Sequence, residues 1–150
     1  DLFQAVGAKL GQANVLKAIG DVQAFRKEND AALASYQQAL DLFQAVGAKL
    51  GQANTLQSLG KFQMQTGNAE EGIKTLQAAH ELHEAIGDLV GQFNIQVFLG
   101  QLLAQNGHFE QAISMLQEAD ALLARIDARH PVRAQLKEFI TQLQAQSPNP

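Results

Sequence analysis

The chain has 150 residues, 46% hydrophobic and 17% charged, a balance that suits one folded domain rather than a disordered segment. Its formal net charge is −4 with no run of Lys or Arg, so it lacks the basic footprint needed for nucleic acid or for an anionic membrane surface. With no cysteine it has no disulfide and no thiolate metal site, which fits a cytoplasmic chain, and no stretch approaches the roughly 18 apolar residues that span a bilayer.

Residues 1–14, DLFQAVGAKLGQAN, recur unchanged as residues 41–54. Diverged copies start at Glu81 and, in part, at Ala121, so the period is 40 residues. In this frame residues 1–7 are the end of a repeat whose beginning is missing, as in the C-terminal piece of a longer array. Residues 8–47, 48–87 and 88–127 are three repeats, residues 131–146 a capping helix and residues 147–150 a tail, all in a single domain.

Each repeat reads as two helices. In the first, the turn at Arg26–Asn29 has no glycine, so Lys27, or Asn29 at lower cost, has to adopt positive φ. In the second, a helix is predicted from Lys49 to Gln65, followed by a turn at Thr66-Gly67-Asn68. A second helix then carries Gly72, Leu76, Ala79 and Leu82 on one face, and Gly87 ends it. Gly7 and Gly47 hold the place of Gly87, and Asn106-Gly107 is the internal turn of the third repeat. Pro131 opens the last helix, whose apolar face is Val132, Leu136, Phe139, Ile140 and Leu143.

Small residues mark where helices approach. Gly20, Gly60 and Gly100 sit late in each first helix; Ala32, Gly72 and Ala112 sit early in each second helix, with Ala39, Ala79 and Ala119 following. Glycine inside a helix costs about 0.5–1 kcal/mol relative to alanine, so three at one spacing imply a close helix crossing. The fourth copy has Ile140 at the glycine position, and no second helix follows it.

The pairs Ile19-Gly20, Leu59-Gly60 and Leu99-Gly100, the turn residues Gly67 and Gly107, and the spaced small residues Ala32/Ala39, Gly72/Ala79 and Ala112/Ala119 resemble the tetratricopeptide repeat (TPR) in an extended 40-residue form. The openings GQANVLKAIG, GQANTLQSLG and GQFNIQVFLG strengthen the resemblance, with Phe93 replacing the alanine in the third. It implies an all-α solenoid of antiparallel helical hairpins, a superhelix of about three repeats plus a C-terminal capping helix. It also implies a scaffold that binds a peptide or partner protein in a concave groove lined by first helices, with no enzymatic activity.

The helical wheel places Asn14, Lys17, Asp21 and Phe25 on one side of the first helix of repeat one, away from its packed side. The matching residues are Asn54, Gln57, Ser58, Lys61 and Gln65, then Asn94, Val97, Phe98, Gln101 and Gln105. Asn14, Asn54 and Asn94 would form a ladder able to pair with the C=O and N–H of an extended backbone. Lys17 and Lys61 would then meet an acidic group, and Val97 and Phe98 an apolar anchor. The plain alternative is that the asparagines are solvated and that Val97 and Phe98 pack between hairpins. Two lysines are too few for the family's carboxylate clamp.

His80 and His83 are three apart on one helix but replace Leu40 and Phe43 and have no third ligand, so no metal or cofactor is expected. No phosphate-binding glycine loop, GxSxG elbow or thiol nucleophile occurs. Leu2, Phe3 and Val6 form an uncovered apolar edge, which makes self-assembly by stacking or helix exchange a second reading. A third is the sensor arm of a larger signalling protein.

Overall fold

The 40-residue period folds as helical hairpins. The computed structural model describes residues 1–147, so the assigned tail beyond Ser147 lies outside the described residues. These form seven α-helices with no strand among them: α1 (Leu2–Phe25), α2 (Asn29–Ala45), α3 (Lys49–Gln65), α4 (Ala69–Ala85), α5 (Leu89–Gln105), α6 (Phe109–Ile126) and α7 (Val132–Gln146). They fall into two compact units: residues 1–86 hold α1 to α4, and the segment from Gly87 onward holds α5 to α7.

The turns close as the residue types dictate. At the end of α2, the Ala48 N–H donates to the Phe43 carbonyl at 2.9 Å and the Gly47 N–H to that of Gln44 at 3.1 Å, with Gly47 at φ +68°. This paired capping satisfies carbonyls that a helix end leaves open, and it needs a left-handed residue at that position. The same bonding recurs after α1, where the Glu28 N–H donates to the Gln23 carbonyl at 2.9 Å. There Lys27 takes φ +61° and Asn29 opens α2, so the strained position falls on the lysine.

One expectation is overturned. Gly7 does not end a helix: α1 runs unbroken from Leu2 to Phe25, and the glycines with positive φ begin at Gly47. No described helix packs on residues 1–6, so reversing the chain at Gly7 would bury nothing and would forfeit helical hydrogen bonds. A glycine inside the helix, at about 1 kcal/mol, is the smaller cost.

The small residues lie at the hairpin crossings. A Cβ built on Gly20 would stand 2.9 Å from the Tyr36 ring, one on Gly60 2.7 Å from Leu76 Cγ, and one on Gly100 2.8 Å from Leu116. Gly72 faces Gly60 across the α3–α4 crossing, where its Cβ would lie 2.9 Å from the Gly60 carbonyl oxygen. Ala32, Ala39, Ala79, Ala112 and Ala119 are fully buried. Ile140 of α7 joins Leu136 and Leu143 against Ala112, Leu116 and Ala119, the core of the second unit.

A charged clasp joins α6 to α7. Arg133 Nε donates to Asp120 Oδ1 at 2.8 Å and its second terminal nitrogen to Oδ2 at 2.9 Å, while the other donates to the Ala128 carbonyl at 2.7 Å. Side-chain exposures of 20% and 16% mark the pair as partly shielded, and the fork geometry makes it the kind of ion pair that contributes to stability. The Arg133 hydrogen bond holds the Asp120 carboxyl below its ordinary pKa against the opposing effect of burial. Stability from this pair is therefore present above the unfolded carboxylate pKa of about 4 and lost as pH falls through the lower folded value. Asp120→Asn is expected to be less stable than wild type at neutral pH. Its urea midpoint should also fall less steeply between about pH 5 and pH 2; parallel pH curves would contradict this assignment.

Candidate functional site

In the first unit, α1 and α3 present the side chains that the wheel grouped. Spacing of four puts Lys17 and Asp21 on one face of α1, and Lys17 Nζ lies 2.7 Å from Asp21 Oδ2. The Tyr36 hydroxyl, reaching across from α2, donates to Asp21 Oδ1 at 2.8 Å. Asp21 is thus held from two sides, and the Lys17 charge is spent on it.

Tyr36 is buried beneath this pair, with its ring centroid 6.0 Å from that of Phe62. Burial, then the Asp21 hydrogen bond and charge, push its hydroxyl well above the ordinary tyrosine pKa, so it remains a donor at neutral pH.

Between α1 and α3 runs an open groove of about 270 Å³. Asp21, Ala24 and Phe25 form one wall, Ser58, Lys61 and Gln65 the other, with Tyr36 and Phe62 completing it. Phe25 is almost entirely exposed at its rim. Burial lowers the Lys61 pKa. Asp21, Ser58 and Lys61 are therefore brought together. Asn14 and Asn54 lie outside the groove lining but on the same helix faces, seven residues ahead of Asp21 and of Lys61. Both are exposed, and neither side chain makes a hydrogen bond among the described residues. Gln57 is half-buried.

In the second unit, Asn94 and Gln101 are exposed on α5, while Val97 and Phe98 are half-buried. Val97 packs against the cluster formed by Ala112, Leu116, Ala119 and the α7 leucines, so it serves the core. Gln101, Ala104 and Gln105 line a groove of about 460 Å³ with Phe109 of α6 and Phe139, Gln142, Leu143 and Gln146 of α7. Its α5 wall occupies the repeat positions of Asp21, Ala24 and Phe25, with no charge in place of Asp21.

Sequence reasoning missed Tyr36 and Phe62 in the first groove and Phe109, Phe139, Gln142 and Gln146 in the second. For α7 a signal existed, since Phe139, Gln142, Leu143 and Gln146 share one helix stripe beside the apolar face. Tyr36 gave none beyond its core spacing.

Residues 51–123, from within α3 to within α6, match the tetratricopeptide repeat family model. The chain carries tetratricopeptide repeats. No curated protein matches it. TPR modules generally mediate protein–protein interaction and are typically non-enzymatic, and of the TPR positions named from the sequence Gly20, Gly60, Gly72 and Gly100 lie at the hairpin crossings while Gly67 and Gly107 form turns. Among the described residues no helix of this TPR chain is long and apolar enough to cross a membrane, and no group of three His, Asp or Glu could hold a metal ion. His83 is buried in α4 and His80 is half-buried.

Proposed function

We propose that this chain is a protein-interaction scaffold that holds an extended segment of a partner along the α1–α3 face of its first unit. The observation that carries the reading is the arrangement on that face. A groove with an aromatic rim at Phe25 and polar groups at Asp21, Ser58 and Lys61 lies beside Asn14 and Asn54, whose amides have no hydrogen bond within the described chain. An asparagine amide supplies one acceptor and two donors, enough to pair with a peptide group whatever its side chain. Phe25 and the Tyr36–Phe62 floor supply apolar contact, and Lys61 supplies charge selection. In the second unit the glutamine-rich groove between α5 and α7, with exposed Asn94 above it on α5, offers the same backbone chemistry without charge.

The test is selection of binding peptides from a random library displayed against residues 1–150, followed by the variant Asn14→Ala/Asn54→Ala. Each lost hydrogen bond contributes on the order of 1 kcal/mol, so losing one at each asparagine should lower affinity about thirtyfold while the far-ultraviolet circular dichroism stays unchanged. Selected peptides that bind the variant as tightly as wild type would remove the asparagines from the site.

A further inference from the structure

We propose, resting on the scaffold reading above, that the second-unit groove takes an uncharged, strand-like stretch of the partner protein. Glutamine amides hydrogen-bond it along both edges, and its apolar side chains fall at alternate positions. The α5 wall presents Gln101 and Gln105, and the α7 wall presents Gln142 and Gln146. All four are exposed, and none of their side chains makes a hydrogen bond among the described residues. Phe109 and Phe139, half-buried against the core of the unit, complete the lining. Both walls belong to one compact unit, and α7 turns its glutamine stripe toward α5.

Spacing selects the form of the ligand backbone. Glutamines four apart stand about 6 Å along a helix axis. Same-edge residues of a β-strand recur about every 6.7 Å, each turning its N–H and its C=O to that edge. One glutamine amide, with its donors and its acceptor, matches one such residue, and the flexible side chain takes up the small difference. A polyproline helix returns a carbonyl to the same side only every three residues, about 9 Å, and its prolines have no N–H. A helical ligand has already paired its own backbone groups. A strand between the two walls therefore pairs alternate residues with α5 and the intervening ones with α7.

Charge selects the side chains. Gln101 occupies the repeat position held by Asp21 and Lys61 in the first unit, and none of the described residues lining this groove is charged. A ligand charge set against Phe109 and Phe139 would lose water without gaining a counter-ion. Successive side chains of a strand point to opposite faces, so every second residue has to be apolar and the others face water. The two grooves thus share backbone pairing and differ in the charge that they accept.

The probe is a decapeptide alternating leucine and serine, with blocked ends and a soluble polyethylene glycol tail, titrated calorimetrically into residues 1–150. It is expected to bind, and Gln105→Leu/Gln142→Leu should weaken it by about thirtyfold or more, because two amides are lost while apolar surface is gained. Both positions are exposed and leucine favours helix, so the fold is expected to stay intact. Aspartate in place of the two central leucines of the probe, or N-methylation of two adjacent central residues, should each abolish binding to the wild-type chain. Asn14→Ala/Asn54→Ala should leave binding unchanged, since those residues belong to the other unit. A probe that the asparagine variant releases and the glutamine variant retains sits in the first groove; that result overturns this assignment and leaves the scaffold reading standing. Tighter binding to the leucine variant marks a merely apolar site and overturns it as well. So does a preference for a proline-rich or an acidic decapeptide, or no binding at near-millimolar probe, while the library selection decides the scaffold reading separately.

Discussion

Leu76→Ala is expected to destabilise the first unit by about 3 kcal/mol, because Leu76 is fully buried and fills the space that Gly60 leaves at the α3–α4 crossing. Gly60→Ala acts on the same contact from the other side. Alanine favours the helix by about 1 kcal/mol, but its Cβ would sit 2.7 Å from Leu76 Cγ and 3.1 Å from the Gly72 carbonyl oxygen. The leucine can shift and the backbone oxygen cannot easily do so. Overpacking should therefore win, for a net loss of about 1–2 kcal/mol. Combining the two changes relieves part of each defect, so the double variant should lose about 1 kcal/mol less than the sum. The chain has one Tyr and no Trp, so the fluorescence of Tyr36 reports on the first unit during urea unfolding. Strict additivity, or a stabilised Gly60→Ala, would show that the glycine is not there to admit the leucine.

The second large effect is expected at Tyr36. Its ring lies under Gly20 of α1 and beside Phe62 of α3, and its hydroxyl reaches Asp21, so one side chain of α2 links three helices. Tyr36→Ala should cost about 4 kcal/mol, since a cavity at such a junction has no single neighbour able to fill it. Tyr36→Phe keeps the ring and should cost only about 1 kcal/mol, because Asp21 retains Lys17 and partial access to water. The raised hydroxyl pKa adds a second signature. A group whose proton is held more tightly in the folded state contributes stability below its unfolded pKa of about 10 and loses it as pH rises toward the folded value. Wild type should therefore weaken above about pH 10 more steeply than Tyr36→Phe in urea titrations. Coincident alkaline curves would mean that the hydroxyl is not held by burial and Asp21.

Much of the site was readable before any coordinates. Asp21, Ser58 and Lys61 follow from counting along a helix, because an α-helix maps sequence spacing onto a face with little freedom. What the wheel cannot give is the element that lies across from that face. Tyr36 comes from α2, and Phe139 and Gln142 come from a helix that reads as a mere cap. Nor can it weigh competing partners. Lys17 looks like a free cation in sequence, yet an aspartate four residues on is its nearest available anion. Val97 looks like an apolar anchor, and the adjoining core takes it instead.

The deepest division between sequence and tertiary structure lies in the block DLFQAVGAKLGQAN. Its composition alone determines helix on both sides of Val-Gly-Ala, and the period around it determines hairpins closed by small residues. It does not determine whether Val-Gly-Ala is a turn. At 46–48 it reverses the chain, since α2 is already anchored through Ala32, Tyr36, Ala39 and Leu40, and turning buries Phe43 over Gly51. At 6–8 the same residues continue α1, since no described helix packs there and the backbone keeps its hydrogen bonds instead. Local preference for helix or turn differs by only about 1 kcal/mol at a glycine, and burying one phenylalanine outweighs that.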